Sequence, residues 1–97
     1  MPHSQIIGSG QALPGEPVSN ATLSEQMAAR GIETSDDWIR DRTGIAQRHI
    51  AAEGICSSDL AAQAAQMAMR DACVQASEID LIIVATTTPD TLFPSTA

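Results

Sequence analysis

Trp38 and Arg42 are the residues of this chain best suited to hold a ligand. They stand four positions apart in Thr34-Ser35-Asp36-Asp37-Trp38-Ile39-Arg40-Asp41-Arg42-Thr43-Gly44-Ile45, so on a helix they share one face. An indole offers a flat stacking plane, and a guanidinium offers a fork that matches phosphate oxygens. Side by side they would grip an adenine and the phosphates beside it. The same spacing also serves a core tryptophan whose arginine pairs with Asp37 or Asp41. Other chemistry is thinner. Cys56 and Cys73 form no CxxC pair, and with His3 and His49 they lack the spacing of zinc ligands. Cys56 precedes a helix start, where a thiolate is favoured, yet no base is set beside it. Cys73 reads as a small core residue of an apolar helix. Gly8-Ser9-Gly10 hints at a dinucleotide loop, but the fingerprint needs a third glycine where Leu13 stands, and Pro14 forbids a helix there. Those glycines read as turn residues.

The elements that must position these residues follow from pattern and punctuation. Gln5-Ile6-Ile7-Gly8 reads as a first strand, and Gly10, Pro14, Gly15 and Pro17 make a loop after it. Thr22-Leu23-Ser24-Glu25 fits a capping box at a helix start, with Gly31 as its stop. A second helix is capped by Thr34 or Ser35 and has Asp36 and Asp37 in its first turn, where the helix dipole favours anions. It ends at Thr43-Gly44, and Ile45 to Ala51 reads as a short strand or extended arm. The longest helix is capped by Ser58 and runs from Asp59 to Ala76. Ala61, Ala65, Ala68, Ala72 and Ala76 make a small-residue stripe that lets another backbone approach closely. Ser77 to Asp80 is a turn. Leu81-Ile82-Ile83-Val84-Ala85-Thr86-Thr87 is apolar at consecutive positions, as in a strand buried on both faces of a parallel sheet. Such a strand needs neighbours on both edges and helices on both faces. The sequence supplies too few, so these residues are expected to be the N-terminal part of a larger α/β protein. The alternative is a small domain that pairs its sheet across a dimer.

Composition narrows the partners. The chain has 97 residues, 43% hydrophobic and 2% aromatic, with 12 acidic residues against 5 basic ones and a net charge of -7. All the basic residues are arginines, and without lysine no GxxxxGK phosphate loop exists. A nucleic-acid binder needs a clustered basic surface and stacking aromatics, which this composition lacks. No apolar run approaches the ~18 residues of a membrane helix. Met1 to Ser9 lacks a basic start and a long apolar stretch, so free thiols in a reducing cytosol are expected.

The run TSDDWIRDRTGIAQRHIA resembles the N-terminal signature of β-ketoacyl-acyl carrier protein synthase III, a thiolase-fold condensing enzyme that starts fatty acid synthesis. IIGSGQALP resembles that family's opening strand and turn. The Ala-rich helix and IDLIIVATTTPDTLFPSTA resemble its next helix, core strand and loop. The likeness spans essentially the whole chain in the family's order, and TSDDWIRDRTGI is its specific piece. Arg30-Gly31-Ile32-Glu33 look like extra residues before Thr34.

The resemblance implies an α/β fold, with residues 1–97 as the N-terminal portion of one thiolase-like domain of layered helices and mixed sheet. It places Trp38 against the adenine of coenzyme A, Arg42 at its phosphates and Thr34 beside the adenine. It sends Phe93 across a dimer to wall the partner's acyl pocket. The family's catalytic Cys, His and Asn lie beyond Ala97, and neither Cys56 nor Cys73 matches the nucleophile. This chain alone is therefore expected to be inactive. The implied activity is an acyltransferase condensing acetyl-CoA, or another acyl-CoA, with malonyl-acyl carrier protein. No further cofactor or metal is implied, and the implied setting is a cytoplasmic homodimer away from nucleic acid and membrane. A related condensing enzyme of secondary metabolism and a non-catalytic α/β interaction module are the other readings.

Overall fold

The computed structural model describes residues 2–92. Two units make up the chain: Pro14–Ala52, and Met1–Leu13 together with Glu53–Ala97. In the first, β1 (Val18–Ser19) leads directly into α1 (Asn20–Ala28), followed by α2 (Asp36–Thr43) and β2 (Gln47–Arg48). The strands pair antiparallel, Val18 opposite Arg48 and Ser19 opposite Gln47. The ladder therefore joins the entry of α1 to the exit of α2.

Each helix end has an identifiable cause. Ser19 caps α1, its Oγ accepting from the Thr22 N–H at 3.2 Å. The helix thus starts a turn before the expected capping box at Thr22, because the residue at the end of β1 already presents a side-chain oxygen. At the other end Gly31, at φ 80°, closes α1: its N–H donates to Ala28 O and that of Ile32 to Met27 O. This paired closure is the Schellman motif, and its left-handed residue is the expected stop. Ser35, not Thr34, caps α2 through the Trp38 N–H at 3.2 Å. Gly44, at φ 70°, ends that helix. Leu23 of α1 and Ile39 of α2 are the buried apolar side chains among the described residues.

In the second unit α3 (Ser57–Ala72) is followed by a 3-10 turn, Ala76–Glu78. Segment 8–11 runs against one face of α3. A Cβ on Gly8 would lie 2.6 Å from Ala68 O and 2.8 Å from Ala72 Cβ. One on Gly10 would meet Ala64 O and lie 2.6 Å from Ala68 N. The Ser9 N–H donates to Asp71 Oδ2 at 3.0 Å. So these glycines serve close approach to a helix and are not turn residues. The alanines that receive them are Ala64, Ala68 and Ala72, spaced at i, i+4 and i+8; Ala61 and Ala65 are exposed.

The start of α3 also differs from expectation. Cys56, not Ser58, holds the N-cap position, and its N–H donates to Asp59 Oδ2 at 2.8 Å. The Ser58 N–H donates to Asp90 Oδ1 at 3.0 Å, and Ser58 Oγ also donates to that carboxylate. Ser57 Oγ donates to Thr88 O at 2.6 Å. Two carboxylates thus take the helix's free N–H groups, where the dipole favours them. Cys73 is exposed, not a core residue, and sits at φ 56° after the last turn of α3. It completes a Schellman closure through Arg70 O and Met69 O.

The expected strands Gln5–Gly8 and Leu81–Thr87 join no ladder among the described residues. A strand exists only through a paired neighbour, and here none lies alongside. Ile6 is 90% exposed and Ile83 84%, so the run read as doubly buried is uncovered in this chain.

Two substitutions test these contacts in the whole protein. Gly10→Ala should cost about 1–3 kcal/mol in chemical denaturation, the scale of overpacking. Adding Ala68→Gly should not restore it, because the nearest atoms are main chain. Cys73→Gly should raise stability by about 0.5–1 kcal/mol, since glycine carries no left-handed penalty.

Candidate functional site

Helix α2 has two differently used faces. Asp36, Ile39 and Thr43 follow i, i+3, i+7 spacing; Ile39 is buried, Asp36 half-buried and Thr43 exposed. Ile39 is 5% exposed. Thr43 Oγ1 donates back to Ile39 O at 2.7 Å and accepts from the Ile45 N–H at 3.1 Å. Trp38 and Arg42 take the outer face. Trp38 is 51% exposed, so in this chain it is not a core tryptophan. The Arg42 guanidinium carbon lies 4.4 Å from the centroid of the indole ring. That is a cation–π stack, and Arg42 forms no ion pair among the described residues. Asp37, Trp38, Arg40, Asp41 and Arg42 line an open, shallow concavity there.

The second arginine of the helix is spoken for. Arg40 Nε donates to Asp36 Oδ1 at 2.8 Å and to Oδ2 at 2.9 Å. The same Asp36 Oδ1 accepts from Asn20 Nδ2 at 2.9 Å. The Arg40 hydrogen bond, then that from Asn20, hold the Asp36 carboxyl below its usual range. So of two arginines two residues apart, one is tied to an acidic partner and the other is left stacked and accessible.

Three of the four expected site residues can be placed. Trp38 and Arg42 come together as the spacing implies. Thr34 precedes the Ser35 cap, half-buried, with an Oγ1 that meets no partner among the described residues. Phe93 lies outside the described residues. His49 is used structurally: its Nδ1 lies 3.1 Å from both Pro14 O and Gly15 O, so that nitrogen carries the proton. The sequence reading missed Asn20, which carries no recognisable motif. Its only signal is a polar residue directly after a serine cap.

Comparison with known proteins returns the likeness that the TSDDWIRDRTGI segment carries. Over its full length the chain is 56% identical to the β-ketoacyl-acyl carrier protein synthase III of Bordetella petrii and covers 30% of that protein. The chain is thus similar to the N-terminal portion of β-ketoacyl-acyl carrier protein synthase III. Solved structures agree. The synthase III of Aquifex aeolicus matches at 46% identity with a TM-score of 0.76, over 95% of this chain and 28% of its own. That of Thermus thermophilus matches at 40% identity and a TM-score of 0.75, over 97% and 28%. Xanthomonas campestris OleA matches at 30% identity and a TM-score of 0.73, over 95% and 29%. The chain thus spans under a third of these relatives, and its fold is the N-terminal part of the thiolase-like architecture of synthase III. No family model matches it.

Acid should weaken this site in a defined direction. A carboxyl whose folded pKa is lowered stabilises the fold above its unfolded pKa and ceases to do so as pH falls through the folded value. Asp36 should therefore titrate below its unfolded counterpart, with its contribution waning below about pH 4. Carboxyl chemical shifts across an acid titration measure this. Arg40→Ala should move the Asp36 midpoint upward.

Proposed function

We propose that this chain is the coenzyme A-recognition portion of an acyltransferase that condenses acetyl-CoA, or another acyl-CoA, with malonyl-acyl carrier protein. The observation that carries the reading is the accessible Trp38–Arg42 stack on α2, within a segment similar to synthase III along its whole length. An adenine fits the free face of the indole, and the guanidinium fork fits the phosphates that follow. Thr34 lies one residue before the cap of the same helix and would sit beside the base.

This chain spans 30% of its Bordetella petrii relative, and the reading assigns the chemistry to the remainder of that length. In the proposed reaction a cysteine thiolate there takes the acyl group from the CoA sulfur and releases CoA. Malonyl-acyl carrier protein then loses carbon dioxide, and its carbanion attacks the acyl-enzyme thioester, whose C–S bond breaks to release the cysteine thiolate and leave β-ketoacyl-acyl carrier protein. The oxyanion is held by His and Asn donors. The setting is a cytoplasmic homodimer in which Phe93 walls the partner's acyl pocket. The likeness to OleA supports a second reading, a related condensing enzyme of another acyl preference.

The test is CoA-ester binding by the whole protein. Trp38→Ala and Arg42→Ala should each weaken it by about 1–3 kcal/mol, the scale of base stacking and of charged hydrogen bonds. Turnover at saturating donor should persist. Unaltered affinity in both variants would overturn the reading. Phe93→Ala should keep the fold and shift the preferred acyl-chain length, measured across a series of acyl-CoA donors. The wild-type profile across that series separates the two readings.

A further inference from the structure

Asn20 is 1% exposed, the most buried polar residue among the described residues. Its Nδ2 carries two N–H donors, and each is used. One goes to Asp36 Oδ1 at 2.9 Å, at the first residue of α2. The other goes to Ile45 O at 2.6 Å, just past the Gly44 that ends α2. The main-chain N–H of Asn20 donates to Ala46 O at 3.1 Å. One residue therefore grips the helix at both ends. Asp36 passes the restraint on to Arg40 through their paired hydrogen bonds.

We infer that Asn20 is a positioning residue for ligand recognition: its carboxamide fixes the seating of α2 and so the presentation of Trp38 and Arg42. The inference rests on the coenzyme A reading of that helix face. Asn20 touches no ligand itself. No apolar residue, and no longer or shorter polar one, supplies two donors at this reach. Asn20 itself lies out of water, so a replacement without donors leaves Asp36 with Arg40 alone and takes the side-chain donor from the Ile45 carbonyl. Without the clamp α2 retains Ile39 in the core but can rock about it. Trp38 and Arg42 lie on the neighbouring flank, about 60–100° round the helix from Ile39, and a rotation of α2 carries both with it.

The experiment compares wild type, Asn20→Asp and Asn20→Ala in the whole protein. Asn20→Asp keeps the shape, removes both donors and sets a carboxylate against Asp36. Equilibrium binding of CoA should weaken about ten- to a hundredfold in both variants, the scale of a misplaced recognition group. The KM for acyl-CoA should rise in parallel while kcat at saturating donor stays within about twofold, a split that general destabilisation does not give. Folded variants that bind CoA like wild type overturn the inference, as does a fall in kcat with KM unchanged. Where a variant does not fold, the wild-type side-chain amide of Asn20 decides by NMR. Its two protons should exchange slowly and shift when CoA is added, and fast exchange or no shift overturns the inference. Wild-type protein that binds no CoA overturns the coenzyme A reading as well, which separates the two failures.

Discussion

A carboxamide taken out of water must find partners for its donors, and that requirement at Asn20 organises residues 14–52. Its bonds fix three points: the entry of α2, the carbonyl beyond its exit, and Ala46 just before β2. The helix between them must have a set length. Its eight residues span about 12 Å. Gly44 supplies the left-handed turn that brings the chain back, and the β1–β2 ladder completes the closure. With only Leu23 and Ile39 as buried apolar side chains, among the described residues, polar geometry has an unusual share in holding this unit.

Much of this was legible from residues that act locally. Ser35, Asp36, Asp37 and Gly44 mark the bounds of α2 because caps, dipoles and left-handed glycines work within a turn of the chain. Trp38 and Arg42 were legible as a pair for the same reason, since i and i+4 is a local relation. What stayed hidden depends on contacts distant in sequence. Asn20 reaches Asp36 and Ile45, and Asp90 reaches Ser58, across separations that no short motif records. Gly8 and Gly10 looked like punctuation because the reason for them is a helix more than fifty residues away. The Leu81–Thr87 run shows the converse. Its apolar pattern describes an environment of neighbouring strands and helices that residues 2–92 do not provide.

The two arginines of α2 illustrate how context assigns identical side chains to different tasks. Arg40 falls one turn beyond Asp36, and its Nε–H is shared between both carboxylate oxygens in a contact that belongs to the fold. Arg42 falls one turn beyond Trp38 and has an aromatic face as its neighbour. A chain with a net charge of -7 is a poor general attractor for anions. A single cation held over an indole gives it a local spot where the sign is reversed.

On the proposed reading, the stack means that Arg42 already covers one face of the indole before any ligand arrives. In the proposed complex the base takes the free face of Trp38, so ring and guanidinium stay in contact while the fork turns toward a phosphate. The energies of Trp38 and Arg42 are therefore entangled. Removing the indole frees the arginine, and removing the arginine bares the ring. The two losses should overlap, and the double replacement should weaken binding by less than the sum of the single ones.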